Sequence, residues 1–264
     1  MNIALSRRDV VKGLVVGGVP ATATLAAVLA NPMLARAAAA GLETVTITTE
    51  GGKSVSAALA LPAATPAPAV LLIHEWWGLN DQIKSVAAEL AKQGYVALAV
   101  DLYGGKVAGT PDDARAYTQM VGKDPDTAVD TLRSWLRWLK KNEKVNGKLG
   151  TVGWCFGGGW SLNASMAEPV DATVVYYGKV DQPADRLARL KGPVQGHFAT
   201  QDQWINKAMV GKFEAAMAEA KKPYQNYWYD ANHAFANPTQ SRYDAADAEL
   251  AWTRTLDFFK QHLG

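Results

Sequence analysis

Short, uninterrupted apolar runs separated by stretches of helical periodicity are the feature that most restricts how this chain can fold. Ala69-Val70-Leu71-Leu72-Ile73 and Tyr95-Val96-Ala97-Leu98-Ala99-Val100 carry no charged side chain, the pattern of strands covered on both faces of a parallel sheet. Residues 149–152, 172–177, 194–199 and 224–229 read as further strands. Ile83, Val86, Ala87, Leu90 and Ala91 recur at helical spacing, as do Val129, Leu132, Leu136 and Leu139. Further helices are expected around Leu187 and Leu190, from about Asn206 to Ala220, and at the end, with Ala245, Ala248, Trp252, Leu256, Phe259 and Leu263 on one face. Parallel neighbours need crossover connections, so the expected fold class is α/β, a mostly parallel doubly wound sheet flanked by helices. Ahead of it, residues 43–48 and 55–61 alternate around Gly51-Gly52 and predict an N-terminal antiparallel hairpin. From Asp101 a polar segment containing Gly104, Gly105 and Lys106 runs to about Asp113, either folding over a cleft or serving as a plain connection.

The first 40 residues have a different character. Ser6-Arg7-Arg8-Asp9-Val10-Val11-Lys12 opens a modestly apolar run to Ala30, followed by Ala35-Arg36-Ala37-Ala38-Ala39-Ala40. Charged, apolar and small-residue regions in that order predict a cleaved secretory signal, and the paired arginines predict the twin-arginine (Tat) export machinery as partner. The competing reading is an uncleaved anchor; cut sites are expected after Ala37 or Ala40. A single domain, residues 41–264, then remains, located in the periplasm or secreted. Without Arg7, Arg8, Lys12 and Arg36 and the one acid Asp9, 23 of 27 basic and 24 of 25 acidic residues remain. A near-neutral domain offers no electrostatic case for nucleic acid as a partner.

The chemistry is expected at one turn. Gly153-Trp154-Cys155-Phe156-Gly157 follows a strand run and opens into a helix, and a nucleophile at the tip of such a turn needs glycine two residues to either side. Cys155 is the only cysteine, so it forms no internal disulfide, and a helix N-terminus favours its thiolate. The plainer reading is a small buried thiol in a glycine-rich turn. Ligands and catalytic groups in such sheets gather at the carboxyl ends of strands, where Glu75, Asp202 and His233 also fall. Cysteine, acid and histidine in that chain order is the order used by α/β-hydrolases: Cys155 attacks, His233 moves the proton, Asp202 orients it. Asp230 competes for the acid's role, being three residues before His233. Of the other histidines, His262 reads as a surface residue, His197 as packed or hydrogen-bonded in its strand, and His74 as orienting Glu75. His74-Glu75-Trp76-Trp77-Gly78 lacks the second histidine of the helical zinc motif, so no metal is expected.

Taken together, His74-Glu75-Trp76-Trp77-Gly78-Leu79-Asn80, Asp101-Leu102-Tyr103, Gly153-Trp154-Cys155-Phe156-Gly157-Gly158, Asp202 and His233-Ala234-Phe235 resemble the dienelactone hydrolase (carboxymethylenebutenolidase) family over residues 43–264. The resemblance implies an α/β-hydrolase fold, hydrolysis of an ester or lactone as the function and no cofactor. It implies Cys155, Asp202 and His233 as the triad and Glu75 as an aid to thiol deprotonation when substrate binds. It also implies an oxyanion hole from the backbone N–H groups of Phe156 and Trp76. The family's two carboxylate-gripping arginines are not matched: the first position offers Gly105 beside Lys106, the second Asn237. Tyr103, Lys106 and Asn237 are therefore the expected substrate-binding residues, with the substrate itself and the oligomeric state left open. Trp76, Trp77, Trp154 and Trp204 are candidates for an aromatic cleft or for core packing. Two other functions compete: a thiol-reactive binding or redox-sensing protein that has lost hydrolysis, and a partner-binding scaffold.

Overall fold

The computed structural model describes residues 31–264; the twin-arginine stretch and the apolar run after it lie outside them. Strands β1 (Glu43–Thr48) and β2 (Ser54–Ala60) form the expected antiparallel hairpin, and β2 pairs antiparallel with β4 (Val96–Val100). From there the sheet is parallel: β3 (Ala67–Ile73) lies between β4 and β5 (Val145–Trp154), followed by β6 (Ala172–Tyr176), β7 (Val194–Ala199) and β8 (Tyr224–Tyr229). The strand order is β1-β2-β4-β3-β5-β6-β7-β8.

The neighbouring strands β3 and β4 show why their sequences have no polar alternation. Val70 and Leu72, with Ala97 and Ala99, pack against α2 (Asp81–Lys92) and the terminal α8 (Ala245–Leu263). Ala69, Leu71 and Ile73, with Val96, Leu98 and Val100, face α4 (Pro125–Lys141) through Leu132, Trp135, Leu136 and Leu139. Each such fully buried Leu, Ile or Val is worth about 1.5–3 kcal/mol relative to exposure, so neither face tolerates a polar residue without a partner. Under the far half of the sheet, α7 (Lys207–Glu219) supplies Val210, Phe213 and Met217, and the four-residue α6 (Ala184–Leu187) supplies Leu187.

Several elements differ from expectation. The segment after Asp101 is a loop only to Thr110, where α3 (Pro111–Lys123) begins; the Thr110 side chain accepts from the Asp113 N–H and Asp113 answers to the Thr110 N–H. That reciprocal capping box starts the helix, although only Ala114 and Val121 of it are buried. Within the stretch read as leader, Pro32–Ala40 forms helix α1, which buries Ala35 and Ala39; the Ala35 carbonyl accepts from the Ser85 hydroxyl of α2 at 2.8 Å. The terminal helix buries Ala251, Thr255 and Phe258 alongside Phe259 and Leu263, while Trp252 and Leu256 are only partly covered. Thr255 earns its inward place by hydrogen bonding Tyr176 and His197.

Candidate active site

β5 ends at Trp154 and helix α5 (Phe156–Ala167) starts two residues later, so Cys155 alone makes the turn, at φ 54° and ψ −117°. Both flanking glycines are required by space. A Cβ on Gly153 would sit 2.0 Å from the Gly157 carbonyl oxygen, and one on Gly157 would sit 2.2 Å from that of Ile73. Helix, turn and β3 therefore approach more closely than any side chain permits, and Cys155 stays in a backbone region that a non-glycine residue occupies only when its surroundings enforce it.

Two loops from other strand ends meet this turn. His233, four residues beyond β8, places Nε2 3.1 Å from the Cys155 sulfur and Nδ1 2.6 Å from Asp202 Oδ2. The other Asp202 oxygen accepts the N–H groups of Trp204 and Ile205 at 2.9 and 3.0 Å. Burial alone would raise the Asp202 carboxyl, but the His233 hydrogen bond and charge, with these N–H groups, bring it below the usual carboxylate range. Burial alone would lower His233; the bonds to Asp202 and Cys155 and their charges outweigh it and raise the imidazole to about 10. Asp230 instead bonds Thr200 and Gln201 at the surface, so Asp202 is the acid that meets the histidine.

The loop after β3 forms the opposite wall. The ring of the fully buried His74 is fixed by a backbone N–H: Leu102 donates to Nε2 at 3.2 Å, so Nδ1 carries the hydrogen and donates to the Glu75 carbonyl at 2.6 Å. Burial lowers its pKa and keeps it neutral. Tyr103 donates its hydroxyl to the Trp76 carbonyl at 3.2 Å, and Ala108 donates its N–H to that of Trp77 at 2.9 Å. The segment after Asp101 thus braces the Trp76-Trp77 loop from behind. Gly78, at φ 93°, permits the contact, since a Cβ there would be 2.6 Å from the Lys106 carbonyl. Among the described residues no acceptor takes the backbone N–H of Trp76 or Phe156. Glu75 is buried with one oxygen accepting from the Tyr177 hydroxyl at 3.2 Å and the other from Asn237 Nδ2 at 2.5 Å. Burial raises its carboxyl pKa, against the opposing pull of Asn237, His233, Tyr177 and Arg242.

A cavity of about 650 Å³ opens over the sulfur and is lined by Glu75, Cys155 and His233, with Trp76, Trp77, Phe156, Trp160 and Trp204 as its aromatic surface. Trp204 is 62% exposed and stands edge-on to the His233 ring at 5.3 Å. Of the four tryptophans, Trp154 takes the core-packing alternative, buried and stacked on Tyr176. Three expectations are corrected here. Lys106 does not line the cavity, its ammonium lying 5.5 Å from the Tyr117 ring centre. Tyr103 and Asn237 are buried behind it, the one holding Trp76, the other holding Glu75 and accepting from Thr239. Sequence reasoning missed Tyr177 and Arg242, the latter a cavity residue whose guanidinium is 5.6 Å from the Trp204 ring centre. Tyr177 had one available signal, its place directly after β6 at a strand's carboxyl end. Among the described residues no group of three or more His, Cys, Asp or Glu is placed to hold a metal ion.

A mostly parallel sheet with a strained strand-to-helix turn carrying Cys155 at a strand end, an acid after β7 and a histidine after β8 defines the α/β-hydrolase class. The profile of the dienelactone hydrolase family matches residues 55–263. A carboxymethylenebutenolidase of Pseudomonas putida is 31% identical over 225 residues, covering 82% of this chain and 95% of the relative. A probable 2-oxo-3-(5-oxofuran-2-ylidene)propanoate lactonase of a Bradyrhizobium species is 31% identical over 235 residues, 80% of this chain and 91% of its own. Among solved structures, a dienelactone hydrolase-like promiscuous phosphotriesterase from metagenomic libraries superposes with a TM-score of 0.77 at 23% identity, covering 84% of this chain and 99% of that one, a likeness of fold. The chain belongs to the dienelactone hydrolase family.

Proposed function

We propose that this hydrolase cleaves a carboxylic ester or lactone through a thioester on Cys155. The observation that carries the reading is the continuous contact from Asp202 through His233 to the sulfur, at 2.6 and 3.1 Å, on the floor of the cavity. The thiolate sulfur attacks the carbonyl carbon, and the displaced π electrons collect on oxygen, which accepts hydrogen bonds from the unengaged N–H groups of Trp76 and Phe156. Collapse breaks the carbon–oxygen bond, and the leaving alkoxide takes the proton from His233 Nε2. Water then gives its proton to His233 as its oxygen attacks the thioester. The acid departs, leaving thiolate and imidazolium as before. Asp202 holds the imidazole in one tautomer throughout. Where the proton has returned from His233 to sulfur, Glu75, bordering the cavity, assists in deprotonating the thiol again as an incoming substrate disturbs its bonds to Asn237 and Tyr177. Cys155→Ala is expected to reduce turnover of an activated aryl ester to background while the protein stays folded; full turnover in that variant would refute the reading.

Two of the similar proteins are named a carboxymethylenebutenolidase and a probable lactonase, which supports a lactone or related ester as substrate. Export through the Tat machinery to the periplasm is proposed on the leader sequence, with cleavage after Ala40. The exposed Ala40-Gly41 link ends α1, whereas Ala35-Arg36-Ala37 lies within that helix. N-terminal sequencing of the periplasmic protein is expected to begin at Gly41; a start at Met1 would contradict it.

A further inference from the structure

We infer that the cavity ends in a second recognition point, a shelf of hydrogen-bond donors from Asn163, Gln182 and Lys179 that receives an accepting end group of the substrate, a carboxylate or an amide carbonyl. This deepens the hydrolase reading and rests on it for the word substrate.

The floor of the cavity is one face of α5. Phe156, Gly159, Trp160 and Asn163 all line it, and their spacing of three, four and seven residues puts them on one side of a helix. With a rise of about 1.5 Å per residue, that face carries the cavity roughly 10–12 Å from the sulfur-bearing turn to Asn163. The stretch between is apolar, the rings of Phe156 and Trp160 meeting edge to face at 6.1 Å.

At the far end the orientation of two amides is decided by a third side chain. Arg186 donates Nη2 to Asn163 Oδ1 at 3.0 Å and Nη1 to Gln182 Oε1 at 2.8 Å. A guanidinium has donors only, so both amide oxygens must face it and both NH₂ groups must point elsewhere. Asn163 spends one hydrogen on the Gly159 carbonyl at 2.8 Å; its second, and both on Gln182, remain for the cavity these residues line. Lys179 lines the same wall and makes no ion pair among the described residues. Asp181 also lies there and offsets Lys179, so that with Arg186 behind the amides the shelf is weakly positive and rich in donors. That composition selects an acceptor and leaves carboxylate and amide carbonyl as two sources of the same chemistry. The substrate class is an ester whose scissile bond and accepting end are separated by an apolar or aromatic span of roughly 10 Å.

The test uses alkylation of Cys155, in which sulfur displaces iodide, and so needs no ester hydrolysis. Iodoacetamides with straight N-linked tails of graded length, ending in methyl, carboxylate or primary amide, are compared on the whole protein, each rate divided by that of iodoacetamide itself. Acceptor-ended tails of about 10 Å are expected to label on the order of tenfold faster than methyl-ended tails of equal length, with no such advantage for short tails. A gain for carboxylate alone assigns the contact chiefly to Lys179; a gain for both assigns it to the amides. The double substitution Gln182→Leu and Lys179→Met is expected to remove the advantage, and Arg186→Met, which frees the amides to turn, to reduce it. Equal rates for all ends at every length in the wild type would overturn the proposal, as would an advantage undiminished in the double variant. A protein that shows the advantage but hydrolyses no ester would keep the shelf and lose the hydrolase reading; the reverse would lose the shelf alone.

Discussion

Two histidines near the carboxyl ends of neighbouring strands have opposite fates, and the contrast shows what decides whether a covered imidazole holds or sheds its proton. His197, within β7, is fully buried under α8 and bonds only to uncharged groups: Tyr229, Gln195 and Thr255. Burial, assisted by the nearby Arg254 charge, drives it down to about 3, so it is a neutral strut. His233 is also largely covered, but its two nitrogens meet a carboxylate and a sulfur, and it rises to about 10. Desolvation is the largest influence on both; the hydrogen bonds and charge of the partners decide the sign.

Substitutions can break that contrast. His233→Ala is expected to lower ester turnover on the order of 10⁴-fold or more with a small change in Tm. His197→Phe should do the reverse, stranding the buried partners in Gln195, Thr255 and Tyr229 at a cost of about 2–4 kcal/mol, a fall of roughly 5–15 °C in Tm, with kcat per folded molecule within about twofold. Thermal melts beside initial rates check both; loss of kcat in folded His197→Phe would break the distinction. Asp202→Asn comes next, with a loss of about 10³–10⁴ in kcat because the tautomer is no longer held.

Acid and base titrations of stability sharpen the same contrast. His197 has a folded value below its unfolded one, so the unfolded chain takes up the proton first as pH falls. Wild type should lose stability relative to His197→Gln from about pH 6.5 toward 3, with a slope of up to about 1.4 kcal/mol per unit. His233 is raised, so its contribution is complete below about 6.5 and is lost as pH rises through about 10. Denaturant melts of wild type against His233→Gln should therefore converge at high pH. The smallest effects belong to the residues behind the cleft. Tyr103→Phe is expected to lower kcat about 3–10-fold with KM unchanged, by loosening the Trp76 carbonyl. Lys106→Ala should change kcat/KM less than about twofold for carboxylated and neutral esters alike, because its side chain is outside the cavity.

The parallel strands were legible because two-sided burial leaves an unmistakable apolar run, and the Cys155 turn because its glycines are demanded by backbone contact rather than by preference. Cys155, Asp202 and His233 were legible as strand-end residues, without any knowledge of their distances. Helix α3 was not, because it buries only Ala114 and Val121 and so lacks periodicity; the capping pair Thr110 and Asp113 was its readable sign. The roles of Asn237 and Arg186 were hidden for another reason. Each acts by orienting a residue remote in sequence, Glu75 in one case and Asn163 with Gln182 in the other, and nothing local marks such a partner.

Rapid-quench mass spectrometry during turnover of an activated ester tests the central claim most directly. A thioester on the peptide containing Cys155, formed and consumed at rates consistent with kcat and slowed in His233→Ala, is the predicted result. Turnover at full rate with no acyl group on that peptide at any time would contradict the account.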